Sequence, residues 1–459
     1  MKSIVLRFLC LTAFAGIVHA AGQNPVPLVN QPLVPASIAP GHAGFVLKVT
    51  GTGFVRGAKI EWNHQPVSTT FVSRSELKAQ IEATDVAKPA TASVTVENPG
   101  GQLSNVVYFC IRKSSSTVGM GVDPHFNHYA GGWVARGDFN GDGKLDVAVS
   151  DNKLINQRII PVVDIYLGKG DGTFDTPVET KPPFLHVGRM LTGDFNGDGK
   201  LDLALTIEVK TCGDGNATVI LLGNGDGTLT LVSGYICGEP EAVADFNHDG
   251  KLDLILTENP GEDAYTSVYL GNGDGTFNPQ GLGNFGYFDG SPVAIGDFNN
   301  DGKLDVAFAS ANGDATVQVF LGRGDGTFNK GVTYQTAFYG YSAYAADVNG
   351  DGKLDIVTGG VSVLLGNGDG TFRSNGGTIA GIGDADLITV GDFNGDGKVD
   401  VAVSDDVDSI WLLLGNGDGT FQSPIEFPLY QGPLHGLASG DFNNDGKLDL
   451  VGGYLFLQK

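Results

Sequence analysis

One nine-residue stretch places acidic and amide side chains at fixed odd positions. Its first copy runs from Asp138 to Asp146, and it occurs seven times at steps of 45 to 56 residues. Positions 1, 3, 5 and 9 are Asp, Asn, Asp and Asp in every copy, and position 6 is Gly. Calcium takes six to eight oxygen ligands from carboxylates, amides and carbonyls, and a tight turn at glycine brings alternate side chains around one point. The stretch therefore predicts a calcium-binding loop.

The backbone carbonyl of the lysine at position 7 is expected to supply a further ligand to each site. The seven predicted ligand sets are Asp138, Asn140, Asp142, Lys144 and Asp146; Asp194, Asn196, Asp198, Lys200 and Asp202; Asp245, Asn247, Asp249, Lys251 and Asp253; Asp297, Asn299, Asp301, Lys303 and Asp305; Asp347, Asn349, Asp351, Lys353 and Asp355; Asp392, Asn394, Asp396, Lys398 and Asp400; Asp441, Asn443, Asp445, Lys447 and Asp449. About seven Ca²⁺ ions, one per repeat, are therefore expected as cofactors.

An acidic, solvated turn is the alternative interpretation, because Asp-Gly and Asn-Gly are common turn dipeptides. Seven copies with all four side-chain positions filled favour calcium over that alternative. An EF-hand does not fit, since it needs a bidentate acid at position 12 and flanking helices. Position 12 is Val149 in the first copy, and short β-like runs flank the loop.

The acidic balance of the chain follows largely from these loops. The net charge is −24 over 459 residues, and each loop, with three Asp and one Lys, contributes −2. Seven bound Ca²⁺ ions would offset the charge of all seven loops, so the acidity does not by itself indicate a cationic partner. A nucleic-acid partner is not expected, because the sequence has no basic stripe to neutralise phosphates.

Residues 1–20 have the features of a secretory signal peptide. Lys2 and Arg7 give a positive start, the apolar run 8–18 is too short to span a bilayer, and the residues before position 21 resemble a small-residue cleavage site. A buried strand or an anchor helix is the less favoured alternative. No other segment approaches membrane-spanning length. The mature chain is therefore expected to be secreted, or to lie at the cell surface or in the periplasm, where disulfides persist.

The chain between this leader and the repeats predicts a small β-domain. Residues 21–40 are rich in proline and predict a linker and domain entry, and residues 41–111 alternate short β-like runs with turns. The segments SIAPG, VTGTGF, IEW and VTVENPGGQLSN resemble the IPT/TIG family of immunoglobulin-like domains. The resemblance implies a β-sandwich that serves as a spacer or an interaction module. Residues 112–117 predict a hinge.

Residues 118–459 predict one repeat array. A second motif, Leu-Gly-x-Gly-Asp-Gly-Thr-Phe, follows each of the first six calcium loops, with Leu229 for the final Phe in the second copy. A period near 50 residues with four short strands is typical of a propeller blade. The two motifs resemble the FG-GAP, or VCBS, repeats of integrin α-chain-like propellers. The resemblance implies an all-β fold, a seven-bladed β-propeller preceded by the immunoglobulin-like β-sandwich.

The spacing of the two motifs predicts how the ring closes. The second motif usually ends 20 residues before the next calcium loop, and 20 residues before Asp138 lies Val118. The last repeat reaches only its third strand, at residues 455–459. Residues 118–123 are therefore expected to complete the seventh blade as its fourth strand. That pairing would remove an open sheet edge, which would otherwise invite aggregation.

The loops at the face opposite to the calcium loops are the predicted ligand face. They differ in length and sequence, and binding residues tend to lie on loops that a rigid scaffold holds. Aromatic side chains are dense in the segments FGYF (285–288) and FYGY (338–341), the latter together with Tyr344. Tyr287, Tyr339 and Tyr341 are the predicted ligand contacts, because binding hot spots favour tyrosine. The alternative is that such rings pack between blades.

A disulfide is predicted between two of the three cysteines that remain after the leader is removed. Cys212 lies between the second and third strands of blade two, and Cys237 lies in the segment that leaves the same blade. Both positions are at the predicted ligand face, so the two thiols can meet. Cys110, at the boundary between the domains, is expected to stay unpaired.

These features favour a monomeric binding or adhesion module for a glycan or a protein. No catalytic residue is assigned, since nucleophile-elbow, P-loop and zinc-site patterns are missing from the sequence. A carbohydrate-active lyase or hydrolase with its site on the same variable face is one alternative; paired carboxylates across a cleft would favour it. A structural spacer without a ligand is the other.

Overall fold

The computed structural model describes the chain in fourteen stretches. They are residues 23–127, 132–155, 158–183, 186–212, 215–258, 265–280, 285, 293–310, 315–338, 340–375, 382, 385–405, 409–429 and 434–459. Within them, all regular secondary structure is β-strand, and no helix there is long and apolar enough to cross a membrane. The predicted signal peptide and the predicted ligand contacts Tyr287 and Tyr339 lie outside the described residues.

The N-terminal part contains ten strands in two sheets. The strands are β1 (Leu28–Val29), β2 (Ser37–Ile38), β3 (Phe45–Thr52), β4 (Lys59–Trp62), β5 (Gln65–Pro66), β6 (Thr69–Ser73), β7 (Glu76–Ile81), β8 (Ala90–Asn98), β9 (Gln102–Leu103) and β10 (Val107–Ile111). One sheet has the order β1-β3-β7-β6, and the other has the order β2-β10-β8-β4-β5 with β9 paired to β8.

The two N-terminal sheets enclose one hydrophobic core. Burial alternates along β7, where Leu77, Ala79 and Ile81 are buried and their neighbours face outward, as expected for strands with one covered face. The Trp62 and Phe109 rings lie 5.2 Å apart within this core. Strand alternation thus positions the apolar residues that hold this part of the chain together.

The remaining chain contains strands β11 to β39. They are β11 (Met120–Asn127), β12 (Val134–Gly137), β13 (Asp146–Ile155), β14 (Arg158–Tyr166), β15 (Val178–Thr180), β16 (Val187–Gly193), β17 (Asp202–Glu208), β18 (Asn216–Gly223), β19 (Leu229–Leu231), β20 (Ile236–Cys237), β21 (Glu239–Ala244), β22 (Asp253–Glu258), β23 (Tyr265–Gly271), β24 (Phe277–Pro279), β25 (Ala294–Gly296), β26 (Asp305–Ala309), β27 (Thr316–Phe320), β28 (Val332–Gln335), β29 (Ala343–Ala346), β30 (Asp355–Thr358), β31 (Val363–Gly366), β32 (Phe372–Ser374), β33 (Ala385–Gly391), β34 (Asp400–Asp405), β35 (Ser409–Leu413), β36 (Ile425–Pro428), β37 (Ala438–Gly440), β38 (Asp449–Val451) and β39 (Tyr454–Gln458).

Six antiparallel sheets follow one another along the chain. Their strand orders are β12-β13-β14-β15, β16-β17-β18-β19 with β20 paired to β18, β21-β22-β23-β24, β25-β26-β27-β28, β29-β30-β31-β32 and β33-β34-β35-β36. In each sheet the acidic nine-residue loop joins the first two strands, and its position 9 opens the second strand. The Gly-Asp-Gly turn follows the third strand. Antiparallel order therefore brings loop and turn to the same end of every sheet, here called the loop face.

The seventh sheet joins distant parts of the chain. Its order is β11-β39-β38-β37, and Met120 pairs with Gln458 across the antiparallel β11–β39 ladder. The predicted closing strand is thus confirmed, although it runs from Met120 to Asn127 and not over 118–123. The pairing leaves β39 with a partner on both sides, which covers the edge that would otherwise template aggregation.

Neighbouring sheets pack through apolar side chains. One cluster joins the third and fourth sheets through Ala244, Phe246, Val306 and Phe308, all buried. The first strand β12 also contacts β37 of the last sheet, so the first and last sheets are neighbours as well. Full burial of one such side chain contributes about 1.5–3 kcal/mol relative to exposure. The all-β repeat array is consistent with a β-propeller-like fold. The buried apolar residues of its strands hold the sheets together and so position the loops at both ends of each sheet.

Candidate metal loops and the opposite face

The first acidic loop is organised around the carboxylate of Asp138. Its Oδ1 accepts the backbone N–H groups of Gly141 at 2.7 Å and Asp142 at 3.1 Å, and its Oδ2 accepts that of Gly143 at 2.8 Å. Gly143 has φ of +82°, a conformation that glycine adopts without strain. The position 1 carboxylate therefore holds the turn through these three hydrogen bonds. The glycine at position 6 adopts the positive φ that the turn requires without strain.

The other acidic positions also hold the loop through backbone N–H groups. Asn140 Oδ1 accepts the N–H of Asp142 at 2.9 Å, and Asp142 Oδ1 accepts the N–H of Lys144 at 2.9 Å. The carboxylate of Asp146, fully buried, accepts the N–H of Phe139 at 2.8 Å and that of Gly168 at 2.7 Å. Position 9 thus ties the loop to the start of the second motif.

The same pattern recurs in the other loops. Position 1 accepts the position 6 N–H at 2.8–2.9 Å in all seven copies, and position 9 accepts the position 2 N–H at 2.8–3.0 Å. In each loop, side-chain oxygens therefore accept hydrogen bonds from backbone N–H groups of the same loop. The arrangement is determined by the sequence of the loop itself, because sheets with different flanks produce it alike.

Burial raises the pKa of every position 9 aspartate, because loss of water disfavours the charged carboxylate. The pKa is about 6 at Asp146 and Asp202, about 7 at Asp305 and Asp355, about 8 at Asp253 and Asp449, and well above the ordinary value at Asp400. The loop's other two carboxylates raise it further, whereas the two backbone N–H groups lower it. A nearby cation would reverse the effect of the neighbouring carboxylates.

The donor set of each loop fits a hard cation in type and number. Three carboxylates, one amide oxygen and one carbonyl per loop are the ligands that Ca²⁺ prefers. Among the residues that the structure describes, however, no three His, Cys, Asp or Glu side chains are gathered around a common metal position. Their oxygens are engaged with backbone N–H groups instead.

The aspartate of the Gly-Asp-Gly turn has a different environment. Asp171 accepts the hydroxyl of Thr173 at 2.6 Å and its N–H at 3.0 Å, and these bonds hold the pKa of the exposed Asp171 below its ordinary value. The same pair recurs in the other five turns. This aspartate holds the turn in shape through its two hydrogen bonds to Thr173. That role explains why the turn contains an aspartate, and it requires no metal.

Each of these turns also bonds to the loop of the preceding sheet. The glycine after the turn aspartate donates its N–H to the carbonyl at position 2 of that loop, at 3.0–3.3 Å. The six pairs are Gly172 to Phe442, Gly227 to Phe139, Gly275 to Phe195, Gly326 to Phe246, Gly370 to Phe298 and Gly419 to Val348. Loop and turn therefore form a continuous belt of sheet-to-sheet hydrogen bonds along the loop face.

The N-terminal part of the chain (residues 23–111, with strands β1–β10), here called the N-terminal domain, lies on this loop face. Val26 donates its N–H to Asp245 Oδ2 at 2.8 Å in the third loop, and Gln31 accepts the N–H of Asp347 at 3.0 Å in the fifth. Gly446, in the seventh loop, faces Ala90 so closely that a Cβ there would lie 2.8 Å from its backbone nitrogen. The face with the repeated sequence is therefore partly occupied within the molecule.

The hinge predicted at 112–117 begins inside this interface. Arg112 is only 7% exposed and bonds to the repeat array, whereas residues 113–117 are exposed. Nearby, the guanidinium of Arg136 lies 4.7 Å from the centre of the Tyr108 ring. Cys110 is a free, buried thiol, and its burial raises its pKa to about 12.

The opposite face carries the loops that differ between sheets, and its aromatic residues divide into two groups. Phe338 and Tyr341 are 38% and 37% exposed, on the segment that leads into β29. The hydroxyl of Ser362 accepts the N–H groups of Ala337 and Phe338 at 3.1 Å each. The backbone at Ala337 and Phe338 is thus held in place, while the Phe338 and Tyr341 rings reach solvent.

Two aromatic residues expected at the variable face have other roles. Phe285 is 4% exposed and packs against Phe308 and Phe328, with ring centres 5.0 and 4.8 Å away. Tyr344 is directed towards the N-terminal domain, and its hydroxyl accepts a bond from Gln31 Nε2 at 3.4 Å. For these two rings the alternative of packing inside the molecule holds, because spacing along the chain does not show on which side of a strand a ring lies.

A polar cluster at the same face could not be found from sequence motifs. The Arg189 guanidinium pairs with Glu241 and lies 4.8 Å from the centre of the Trp133 ring, which is 6.0 Å from the His435 ring. These residues come from four sheets, so only the closed arrangement brings them together. These residues contact one another, so the cluster is explained as packing between the first strands of neighbouring sheets.

The structure links Cys212 and Cys237 by a disulfide, with Cα atoms 5.4 Å apart. The bridge connects the segment before β18 to β20, which pairs with β18. It therefore fixes the start of the third strand of the second sheet at the variable face.

The family model described as FG-GAP-like repeat matches residues 138–205, 194–256, 245–308, 297–358 and 392–452. The integrin alpha pat-2 of Caenorhabditis briggsae is 29% identical over 209 residues, a match that covers 37% of this chain and 17% of the integrin. The chain thus spans less than a fifth of that relative.

Solved structures show only a general likeness. An auxiliary nutrient binding protein from Bacteroides ovatus is 12% identical with a TM-score of 0.38, and the alignment covers 94% of this chain and 98% of that one. Sqt1 from Chaetomium thermophilum is 12% identical with a TM-score of 0.39, over 96% and 100% of the two chains. The family model, which matches well over half of the sequence with the acidic loop in every matched segment, is decisive: the chain belongs to the family of FG-GAP-like repeat proteins.

Proposed function

We propose that this protein is an exported, calcium-stabilised, seven-bladed β-propeller with an N-terminal immunoglobulin-like domain, and that it binds a glycan or a protein through its variable-loop face. The observation that carries the proposal is the division of labour between the two faces. The loop face is covered in part by the N-terminal domain, whereas Phe338, whose backbone Ser362 holds, and Tyr341 are exposed at the other face.

Calcium follows from the charge of the loops. Each loop contains three carboxylates and one amide oxygen, and burial raises the pKa of its position 9 carboxylate. A divalent cation bound there would neutralise the carboxylates and would link the two strands that the loop joins. The loop residues then serve stability, and their sequence is fully used for that purpose.

Ligand binding follows from the exposed rings. Tyrosine and phenylalanine offer large contact areas at low conformational cost, and the Ser362 hydroxyl holds the backbone beside Phe338 in one arrangement. A braced segment loses less freedom on binding than a loose one, which favours affinity. Tyr341, the member of the predicted contact set that the structure describes, is therefore the first residue to test.

The test is a glycan array and a pull-down with the intact mature protein, followed by affinity measurements on Tyr341→Ala and Phe338→Ala. Loss of more than about 1 kcal/mol of binding in either folded variant supports the site. Val332→Ala is the matched control, since Val332 is 53% exposed on the fourth strand β28, away from these loops. Wild-type affinity in both ring variants would move the site elsewhere.

A further inference from the structure

The seventh sheet makes its connection to the preceding loop in a different way from the other six. In the six matching places, the last glycine of a Gly-Asp-Gly turn donates its N–H to the loop of the preceding sheet. The corresponding carbonyl for the seventh sheet belongs to Phe393, in the sixth loop. It accepts a hydrogen bond from the side-chain amide of Gln458, at 2.7 Å.

Gln458 stands where the other repeats have the first glycine of the second motif. Its backbone N–H donates to Asp449 Oδ1 at 2.7 Å, as Gly168 does to Asp146 in the first sheet. The side chain that glycine lacks then reaches the carbonyl of Phe393. Gln458 thus makes two hydrogen bonds that in the first sheet come from two glycines of the second motif, Gly168 and Gly172. Gln458 is only 5% exposed.

Arg112 completes this contact from the side of the N-terminal domain. Its Nη1 donates to Gln458 Oε1 at 2.8 Å, and its Nη2 donates to the carbonyl of Asp392 at 3.3 Å. Gly395 of the sixth loop lies against the same side chain, so closely that a Cβ there would lie 2.6 Å from Arg112 Nε. The guanidinium therefore occupies the space between the sixth loop and the end of β39.

The chain around this contact is held in the same place. Ser115 donates its N–H to the carbonyl of Asn394 at 2.7 Å, and Lys459 donates its N–H to that of Gly119 at 2.8 Å. β11 then begins at Met120 and pairs with β39. Residues 112–120 thus pass from the interface of the N-terminal domain directly into the closing strand of the repeat array.

We propose that Arg112 and Gln458 form a clasp that does for the seventh sheet what the Gly-Asp-Gly turn does for the other six, so that docking of the N-terminal domain and closure of the ring are one cooperative event. The hydrogen bonds of the clasp are charge-assisted and almost fully buried, the setting in which such bonds are strongest. Loss of either side chain leaves the other without its partner in a buried site, which is costly.

The experiment is hydrogen–deuterium exchange on the full mature protein, with Arg112→Ala, Gln458→Ala and the double variant. Each single variant is expected to speed exchange in β11 and β39 by about tenfold or more, and to speed trypsin cleavage after the exposed Lys113. The double variant should be little worse than either single one, because the two side chains act as one unit.

Arg56→Ala is the matched control, because Arg56 is an exposed arginine that stacks on Phe71 within the same domain. It should leave β11 and β39 unchanged. If an alanine variant does not fold, Arg112→Lys keeps the charge, loses the planar pair of donors, and should speed exchange in the same two strands. Exchange in β11 and β39 within about twofold of wild type in the folded variants, or effects that multiply in the double variant, would overturn the proposal.

Discussion

The two faces of the repeat array use their residues in opposite ways. At the loop face, one sequence is repeated seven times and its polar groups are consumed by hydrogen bonds within the loop, to the next sheet and to the N-terminal domain. At the opposite face, segments of different length carry exposed rings such as Phe338 and Tyr341. The repeated, strongly polar sequence therefore serves the structure of the array, whereas the irregular loops keep exposed rings, the surface proposed here for partners.

Removal of calcium is expected to produce the largest change. A ligand that binds only the folded state adds about 2.7 kcal/mol per site at a hundredfold excess over its Kd, so several sites together exceed the roughly 5–15 kcal/mol stability of a typical domain. The melting temperature should fall sharply in chelator, and elemental analysis should find about seven ions.

Magnesium is the control for that experiment, because it demands a smaller, octahedral site and should restore less stability. An unchanged melting temperature in chelator, together with protein that contains no metal, would show that the loops are held by their hydrogen bonds alone.

A pair of phenylalanine substitutions compares the two faces directly. Phe139→Ala removes a ring that is 2% exposed at position 2 of the first loop, and should cost about 3–5 kcal/mol of unfolding free energy. Phe338→Ala removes one that is 38% exposed, and should change stability by no more than about 0.5 kcal/mol. Urea unfolding measures both. Equal losses would mean that the variable face is packed as tightly as the loop face.

Loss of the disulfide should have an intermediate effect confined to the variable face. Cys212→Ser with Cys237→Ser opens a loop with a sequence separation of 25 residues, worth about 3 kcal/mol in the chain-entropy model. Thermal unfolding measures the loss, and non-reducing peptide mapping checks the bridge. Cys110→Ala is the control without a cross-link. Mapping that finds both thiols free, or Cys110 joined to either, contradicts the assignment.

The smallest effect is expected at position 4 of a loop. Asn300 has φ of +58°, and its side-chain amide donates to the carbonyl of Gly368 in the next sheet at 3.0 Å. Asn300→Gly loses this hydrogen bond, which is worth about 0.5–1.5 kcal/mol. The substitution also removes the strain of a positive φ, because glycine adopts that conformation freely. The net change should stay within about 1 kcal/mol. A larger loss would make this side chain a principal link between the sheets.

The sequence predicted the repeat array well, because its information is local. The loop from Asp138 to Asp146 and the Gly-Asp-Gly turn each fold through contacts between residues a few positions apart. Counting between the two motifs was then enough to predict the strand that pairs with β39. Residues that repeat at a fixed spacing have the same local structure in each sheet.

The remaining features depend on contacts that no local pattern contains. Docking of the N-terminal domain joins Val26 to Asp245, 219 positions apart, and the Arg189–Glu241 pair stacks on a ring from another sheet. The inward packing of Phe285 and the contact of Tyr344 with Gln31 were not predicted for the same reason. The direction of a ring relative to its strand is decided by which neighbour offers it space.

The antiparallel pairing of β11 with β39 also determines how the molecule would respond to mechanical force. Met120, at the start of β11, lies opposite Gln458, at the end of β39. Tension between the N-terminal domain and Lys459 would therefore act at one end of this ladder and would break its hydrogen bonds one after another, as a zipper opens. Such peeling needs less force than sliding two strands past each other, so the Arg112–Gln458 contact at that end would be among the first to resist a pull.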